Sequence, residues 1–97
     1  MTAKEATDFI DSVTWEDCTV RLHGKLYWCL GLARYPSDNK LRIQVFEEDP
    51  VTREWIRYLL NYASDSKDDC MKHFLEDKYW DGKSFYEVAP DMEWIDL

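Results

Sequence analysis

The chain reads as an α+β domain: an antiparallel β-meander of three to four strands, with an N-terminal helix and C-terminal acidic helices. Three observations carry this expectation. Near the N-terminus the apolar residues Ala6, Phe9, Ile10 and Val13 recur at helical spacing. From residue 18 to residue 47 apolar and polar residues alternate instead, broken by Gly24-Lys25 and by Pro36-Ser37-Asp38-Asn39-Lys40. Beyond residue 64, charged residues gather around helix-capping signals. At 97 residues, with five Trp, six Tyr and four Phe to fill a core, the chain fits a single domain spanning 1–97.

Each element has its own warrant. Residues 3–13 form the first helix, where Thr2 caps the N-terminus and Glu5 completes a capping box. Trp15 is expected to fold back onto it. In residues 18–23, Cys18, Val20 and Leu22 share one face and Thr19, Arg21 and His23 the other, a half-buried strand. Residues 26–35 are more apolar and read as a central strand, in which Gly31 marks a bulge or a close backbone approach. Residues 41–47 alternate again, with Leu41, Ile43 and Val45 inward and Arg42, Gln44 and Phe46 outward.

Residues 49–63 satisfy two patterns. Asp49-Pro50 suits a helix start, with Val51, Trp55, Tyr58, Leu59 and Tyr62 as its stripe. Alternatively, residues 49–54 are a hairpin loop, and Ile56, Tyr58, Leu60 and Tyr62 alternate along a fourth strand. The aromatic content favours the strand. Residues 66–79 form a helix capped by Asp65 or Ser66, with Asp68 and Asp69 at the positive end of its dipole and Cys70 and Phe74 inward. Asp81-Gly82 ends it. Ser84 and Glu87 make a second capping box for a turn of helix that Pro90 stops, and residues 92–95 add a final short strand.

Charge narrows the class of partner. Net charge is −8, and residues 64–97 hold ten acids against four lysines, while residues 1–45 hold six of each sign. The acids fall as Asp65, Asp68, Asp69, then Glu76, Asp77, Asp81, then Glu87, Asp91, Glu93, Asp96. Such a field repels nucleic acid and anionic membrane and attracts a basic protein. No apolar run is long enough to span a bilayer, and the N-terminus has no signal-peptide core, so a cytoplasmic location is expected. Cys18, Cys29 and Cys70 are odd in number and widely spaced, which fits a reducing setting rather than a disulfide framework.

Motifs for catalysis or cofactors are wanting. Cys70-x-x-His73 is one close pair where zinc sites show two. Asp65-x-x-Asp68-Asp69 lacks the spacing of a calcium loop. Cys29 lies in an apolar strand, and the three glycines form no phosphate loop. The expectation is a non-enzyme without cofactor or metal. Its partner-binding residues are Asp65, Asp68, Asp69, Glu76 and Asp77 for charge, with Tyr79 and Trp80 as anchors. A ligand-binding or regulatory domain using an aromatic pocket of Trp28, Tyr35, Trp55 and Tyr58 is the alternative. Both a monomer and a homodimer are consistent with a sheet that has open edges.

The strand Asp17-Cys18-Thr19-Val20-Arg21-Leu22-His23-Gly24, preceded by a short helix and followed by a sheet and acidic helices, resembles a group of nuclease-inhibiting anti-CRISPR proteins. These belong to the small acidic proteins of phages and mobile elements. The resemblance covers element order and this one motif, Asp-x-Thr-Val-basic-Leu-x-Gly. It implies an inhibitor whose carboxylates imitate phosphates in the DNA-binding groove of a CRISPR effector. Trp55, Trp80, Trp94 and the cysteines belong to no part of that pattern.

Overall fold

A helix, four strands, two helices and a last short strand follow one another along residues 1–95, the part of the chain described by the computed structural model. The elements are α1 (Ala3–Trp15), β1 (Cys18–Leu22), β2 (Lys25–Tyr35), β3 (Lys40–Glu48), β4 (Trp55–Ser64), α2 (Lys67–Glu76), α3 (Phe85–Val88), a 3-10 turn (Ala89–Asp91) and β5 (Glu93–Ile95). Asp96, the last of the grouped acids, lies outside the described residues.

The fold is α+β, with five strands rather than three to four. They form one antiparallel sheet in the order β4-β3-β2-β1-β5. The meander runs from β1 to β4. The chain then crosses the sheet through its helices and returns to pair β5 with β1. Residues 49–63 are hairpin and strand, not helix. Asp49 Oδ1 accepts the Val51 and Thr52 amides at 2.8 and 2.9 Å, an Asx turn, and Arg53 takes a left-handed φ of 66°. That loop returns β4 alongside β3.

Caps set the helix boundaries. Thr2 and Glu5 form the expected box on α1, Ser66 accepts the Asp69 amide at the start of α2, and Ser84 and Glu87 cap α3 reciprocally. Helix α2 ends at Glu76, three residues before the expected boundary. Trp15 does not fold back onto α1; it is the helix's last residue and 77% exposed, with the Lys67 ammonium 4.7 Å from its ring centre.

All three helices lie on one face of the sheet. There Phe9 and Val13 of α1, Cys70 and Phe74 of α2, and Phe85 and Val88 of α3 close over Val20, Leu22, Tyr27, Cys29, Ile43 and Val45. The Phe9 ring stacks on Phe85 at 5.6 Å and meets Trp94 edge-on at 5.4 Å, so these aromatics form the centre of the core. Helix α1 approaches β2 at Gly31, where any Cβ would stand 2.7 Å from the carbonyl oxygens of Val13 and Glu16. The same residue donates its amide to Asp17 Oδ1 at 3.1 Å, and the β2–β3 register shifts between Leu30 and Ala33. Gly31 therefore marks both a bulge and a close approach.

The opposite face of the sheet carries no helix. Its residues line up across the strands in registered rows. One row runs Ile95, Thr19, Trp28, Phe46, Tyr58 from β5 to β4, and the next runs Glu93, Arg21, Leu26, Glu48, Trp55.

Candidate functional site

Folding sorts the charges by layer, which the linear sequence conceals. The helical segments, residues 1–17 and 64–92, hold thirteen acids and five lysines. The strands and their hairpins, residues 18–63 and 93–95, hold six acids and seven bases. The neutral first half of the chain is thus an acidic helix followed by basic strands. The arginines of the sheet are largely engaged: Arg21 with Glu93, Arg42 with Asp38, Arg53 with Glu48 and Arg57 with Glu47. Among the described residues no cation within salt-bridge distance is shared with Asp8, Asp11, Asp65, Asp68 or Glu76, and all five are exposed.

The seven expected partner-binding residues divide into three groups. Asp65, Asp68 and Glu76 face solvent, as the reading requires. Asp68 and Glu76 lie eight apart on α2 with Lys72 midway, so this column alternates in sign rather than forming an unbroken acidic stripe.

Asp69 and Asp77 are engaged within the molecule. Asp69 accepts the Tyr62 hydroxyl at 2.6 Å, and Asp77 meets His73 Nδ1 at 2.7 Å, while the imidazole lies on the Tyr62 ring at 3.9 Å between centres. The Tyr62 hydroxyl, with help from Ser64, holds the Asp69 carboxyl below the usual carboxylate range. Reciprocally, the carboxylate pushes the Tyr62 phenol up to about 12. Linkage gives the sign at both ends. The Asp69 contribution is present above the ordinary carboxylate pKa and lost as pH falls through its lowered folded value; the Tyr62 contribution is present below pH 10 and lost as pH rises toward 12. Tyr62→Phe is therefore expected to lower stability by a constant amount between about pH 5 and 9, with the gap closing in strong acid and above about pH 10. Urea unfolding across that range checks it, and a gap that stays level at both extremes would contradict the hydrogen bond.

Tyr79 and Trp80 are not surface anchors. Trp80 is 1% exposed and packs edge-on against Tyr27 at 5.0 Å. The cause is local: Asp81 and Gly82 both take positive φ, 53° and 79°, a tight turn that pairs Trp80 with Lys83 and turns the indole inward. Tyr79 is half-buried and donates its hydroxyl to the Phe74 carbonyl at 2.7 Å, and burial raises its phenol pKa well above the ordinary value.

Trp15 and Tyr86 are exposed singly on the helices, but the rings that gather into a cluster stand elsewhere, on the helix-free face. Trp28, Phe46, Tyr58 and Trp55 form an unbroken row with centre-to-centre distances of 5.7, 6.0 and 5.6 Å, and Trp55 and Tyr58 are 57% and 48% exposed. Three of the four expected pocket aromatics are in this row. Tyr35 is apart, donating to Gln44 Oε1 at 2.9 Å and standing under the Arg42 guanidinium. Phe46 was the missed member; its outward direction and its register with Trp28 and Tyr58 join the rest. Beside Trp28 opens a cavity of about 420 Å³ between Asp17, Thr19, Arg53 and Ile95, but neither Trp55 nor Tyr58 lines it.

The other chemical candidates are built as packing. Cys29 and Cys70 are fully buried, and burial raises the pKa of both thiols. Cys18 is pushed up to about 11, chiefly by burial and then by Glu16 and Asp17. A thiol held neutral in this way is a poor nucleophile and a poor metal ligand. Among the described residues no three His, Cys, Asp or Glu side chains converge as a metal site, and no helix is long and apolar enough to cross a membrane.

Compared with protein-family models, curated proteins and solved structures, the chain has no significant match in any of the three.

Proposed function

We propose that this chain is a small protein-interaction module whose acidic helix layer engages a basic partner. The observation that carries it is the sorting of charge by layer: thirteen acids against five lysines in the helical segments, beside a nearly balanced sheet. Charge of one sign confined to one side steers a basic surface toward that side and resists association through it with acidic ones. The contact residues are Asp65, Asp68 and Glu76, joined by Asp8 and Asp11 of α1. Asp69 and Asp77 act from behind, by holding α2 against β4 through Tyr62 and His73.

In its most concrete form the module inhibits a nucleic-acid-binding enzyme by setting carboxylates where phosphates would lie, as the resemblance to anti-CRISPR proteins implies. The test is inhibition of DNA cleavage by a purified CRISPR nuclease, with DNA as competitor. Inhibition should fall as DNA or salt is raised. The variant Asp65→Lys/Asp68→Lys/Glu76→Lys should inhibit at least about tenfold less while unfolding at the same urea concentration, since exposed substitutions change stability little. Inhibition that survives the triple charge reversal, or a parent protein that fails to inhibit, would refute this form of the reading.

The alternative reading, a small-ligand domain, is favoured by the cavity beside Trp28 and Arg53, whose volume lies within the range of ligand sites. Its signature would be a salt-insensitive rise in melting temperature with a small molecule.

A further inference from the structure

We infer that the helix-free sheet face is a self-association surface, on which a second copy of this chain packs face to face. The inference concerns the side of the molecule opposite the acidic layer and does not depend on what that layer binds.

Four observations select this occupant. First, the face is apolar at its centre, and most of the arginines around that centre are already neutralised. The row Trp28, Phe46, Tyr58 and Trp55 is flanked by cations already paired within the chain, Arg21 to Glu93, Arg42 to Asp38 and Arg53 to Glu48. Two copies meeting through their helix layers would oppose acid to acid; through the sheet faces they would not.

Second, the rings are not a stacking platform for bases or sugars. Phe46 and Tyr58 stand at 81° to each other, and Trp55 and Tyr58 at 65°. Stacked bases need flat ring faces offered to the ligand. A tilted cluster presents edges and ridges, which suit packing against another side-chain surface.

Third, the face is self-complementary. The exposed Trp55 and Tyr58 lie on β4 at one side of the sheet, and the cavity beside Trp28 opens from the Arg53 side chain toward Thr19 of β1 and Ile95 of β5, with Glu16 and Asp17 at its rim. A two-fold axis parallel to the strands sets β4 of each copy over β1 and β5 of the other, so that each pair of projecting rings meets the opposite cavity. An isologous contact of this kind closes on itself and stops at two copies.

Fourth, the competing mode, pairing along the free edge of β4, is disfavoured by that strand's own geometry. Its register with β3 shifts twice, between Val45 and Phe46 and between Glu47 and Glu48. Such bulges twist an edge away from continuation. In size, five strands about 4.8 Å apart and some six residues long give a face of roughly 500 Å² per copy. A pair would bury about 1,000 Å², the lower end for specific association.

The test is sedimentation equilibrium of the whole chain over a wide concentration range, at low and high salt. The expected result is a monomer–dimer equilibrium with Kd on the order of 10–100 µM, not weakened by added salt. Trp55→Asp and Tyr58→Asp should each raise Kd at least about tenfold. Both residues are exposed in the monomer, so the far-UV circular dichroism should be unchanged; if either variant misfolds, Trp55→Gln and Tyr58→Gln take its place. A parent protein that remains monomeric at about 1 mM overturns the proposal. So does a dimer indifferent to all ring variants, the result that edge pairing would give, or one that dissociates on raising the salt.

Discussion

Gly31→Ala should destabilise the protein by about 3 kcal/mol, one of the two largest single effects expected in this molecule. The new methyl group would stand 2.7 Å from two backbone oxygens, those of Val13 and Glu16. A flexible side chain could swing away from such a contact. These carbonyls cannot, because they belong to the last turn and the C-cap of α1, which is fixed by Phe9 and Val13 in the core. Relief would require lifting the helix end off β2 and loosening the bond from the Gly31 amide to Asp17. Equilibrium urea unfolding measures the loss, and a change below about 0.5 kcal/mol would mean that α1 does not approach β2 as described.

Trp80→Ala should cost about 3–5 kcal/mol, a large share of the stability of a domain this size. Its indole fills the space between Tyr27 and Tyr79, and nothing adjacent can collapse into the void without moving β2. Trp80→Phe should cost much less. Most of the volume is kept, and the buried indole N–H makes no well-formed hydrogen bond among the described residues, its one near acceptor being the Tyr79 hydroxyl, so little hydrogen bonding is lost. Had Trp80 been a surface anchor, alanine would have reduced partner binding and left stability almost untouched. Thermal unfolding of the two variants, read beside nuclease inhibition, separates these outcomes.

Sequence periodicity revealed most of the fold because most of its elements bury one clean face. Phe9 and Val13 on α1, Cys18, Val20 and Leu22 on β1, and Ile43 and Val45 on β3 are all inward, as their spacing requires. The two capping boxes were legible because Thr2-x-x-Glu5 and Ser84-x-x-Glu87 need no tertiary information. Strand β4 was harder. Its two bulges break the alternation, so that Tyr58 pairs with Phe46 on the outer face while Leu60 pairs with Val45 on the inner one. A run that changes face midway fits neither a strict strand period nor a helical one.

The candidate site was less legible, for two physical reasons. An aromatic beside acids looks alike in sequence whether it is an anchor or a plug. Two left-handed residues, Asp81 and Gly82, decided the matter by turning Trp80 inward. Net charge counted along the chain also averages over layers. The acids of residues 1–17 and the bases of β1–β3 nearly cancel within residues 1–45 although they belong to different layers of the fold.

The pairing of β5 with β1 also orders events in time. Strands β2, β3 and β4 are joined by short hairpins, and loops of that size close quickly. The contact of Arg21 with Glu93 spans 72 residues, and during synthesis it must wait until β5 has emerged. Until then one side of β1 has backbone donors and acceptors without partners, next to the apolar Val20 and Leu22. The nascent protein therefore passes through an interval in which its meander is formed but its sheet is one strand short, and in that interval the edge of β1 is the place most open to capture by a chaperone or by another unfinished chain.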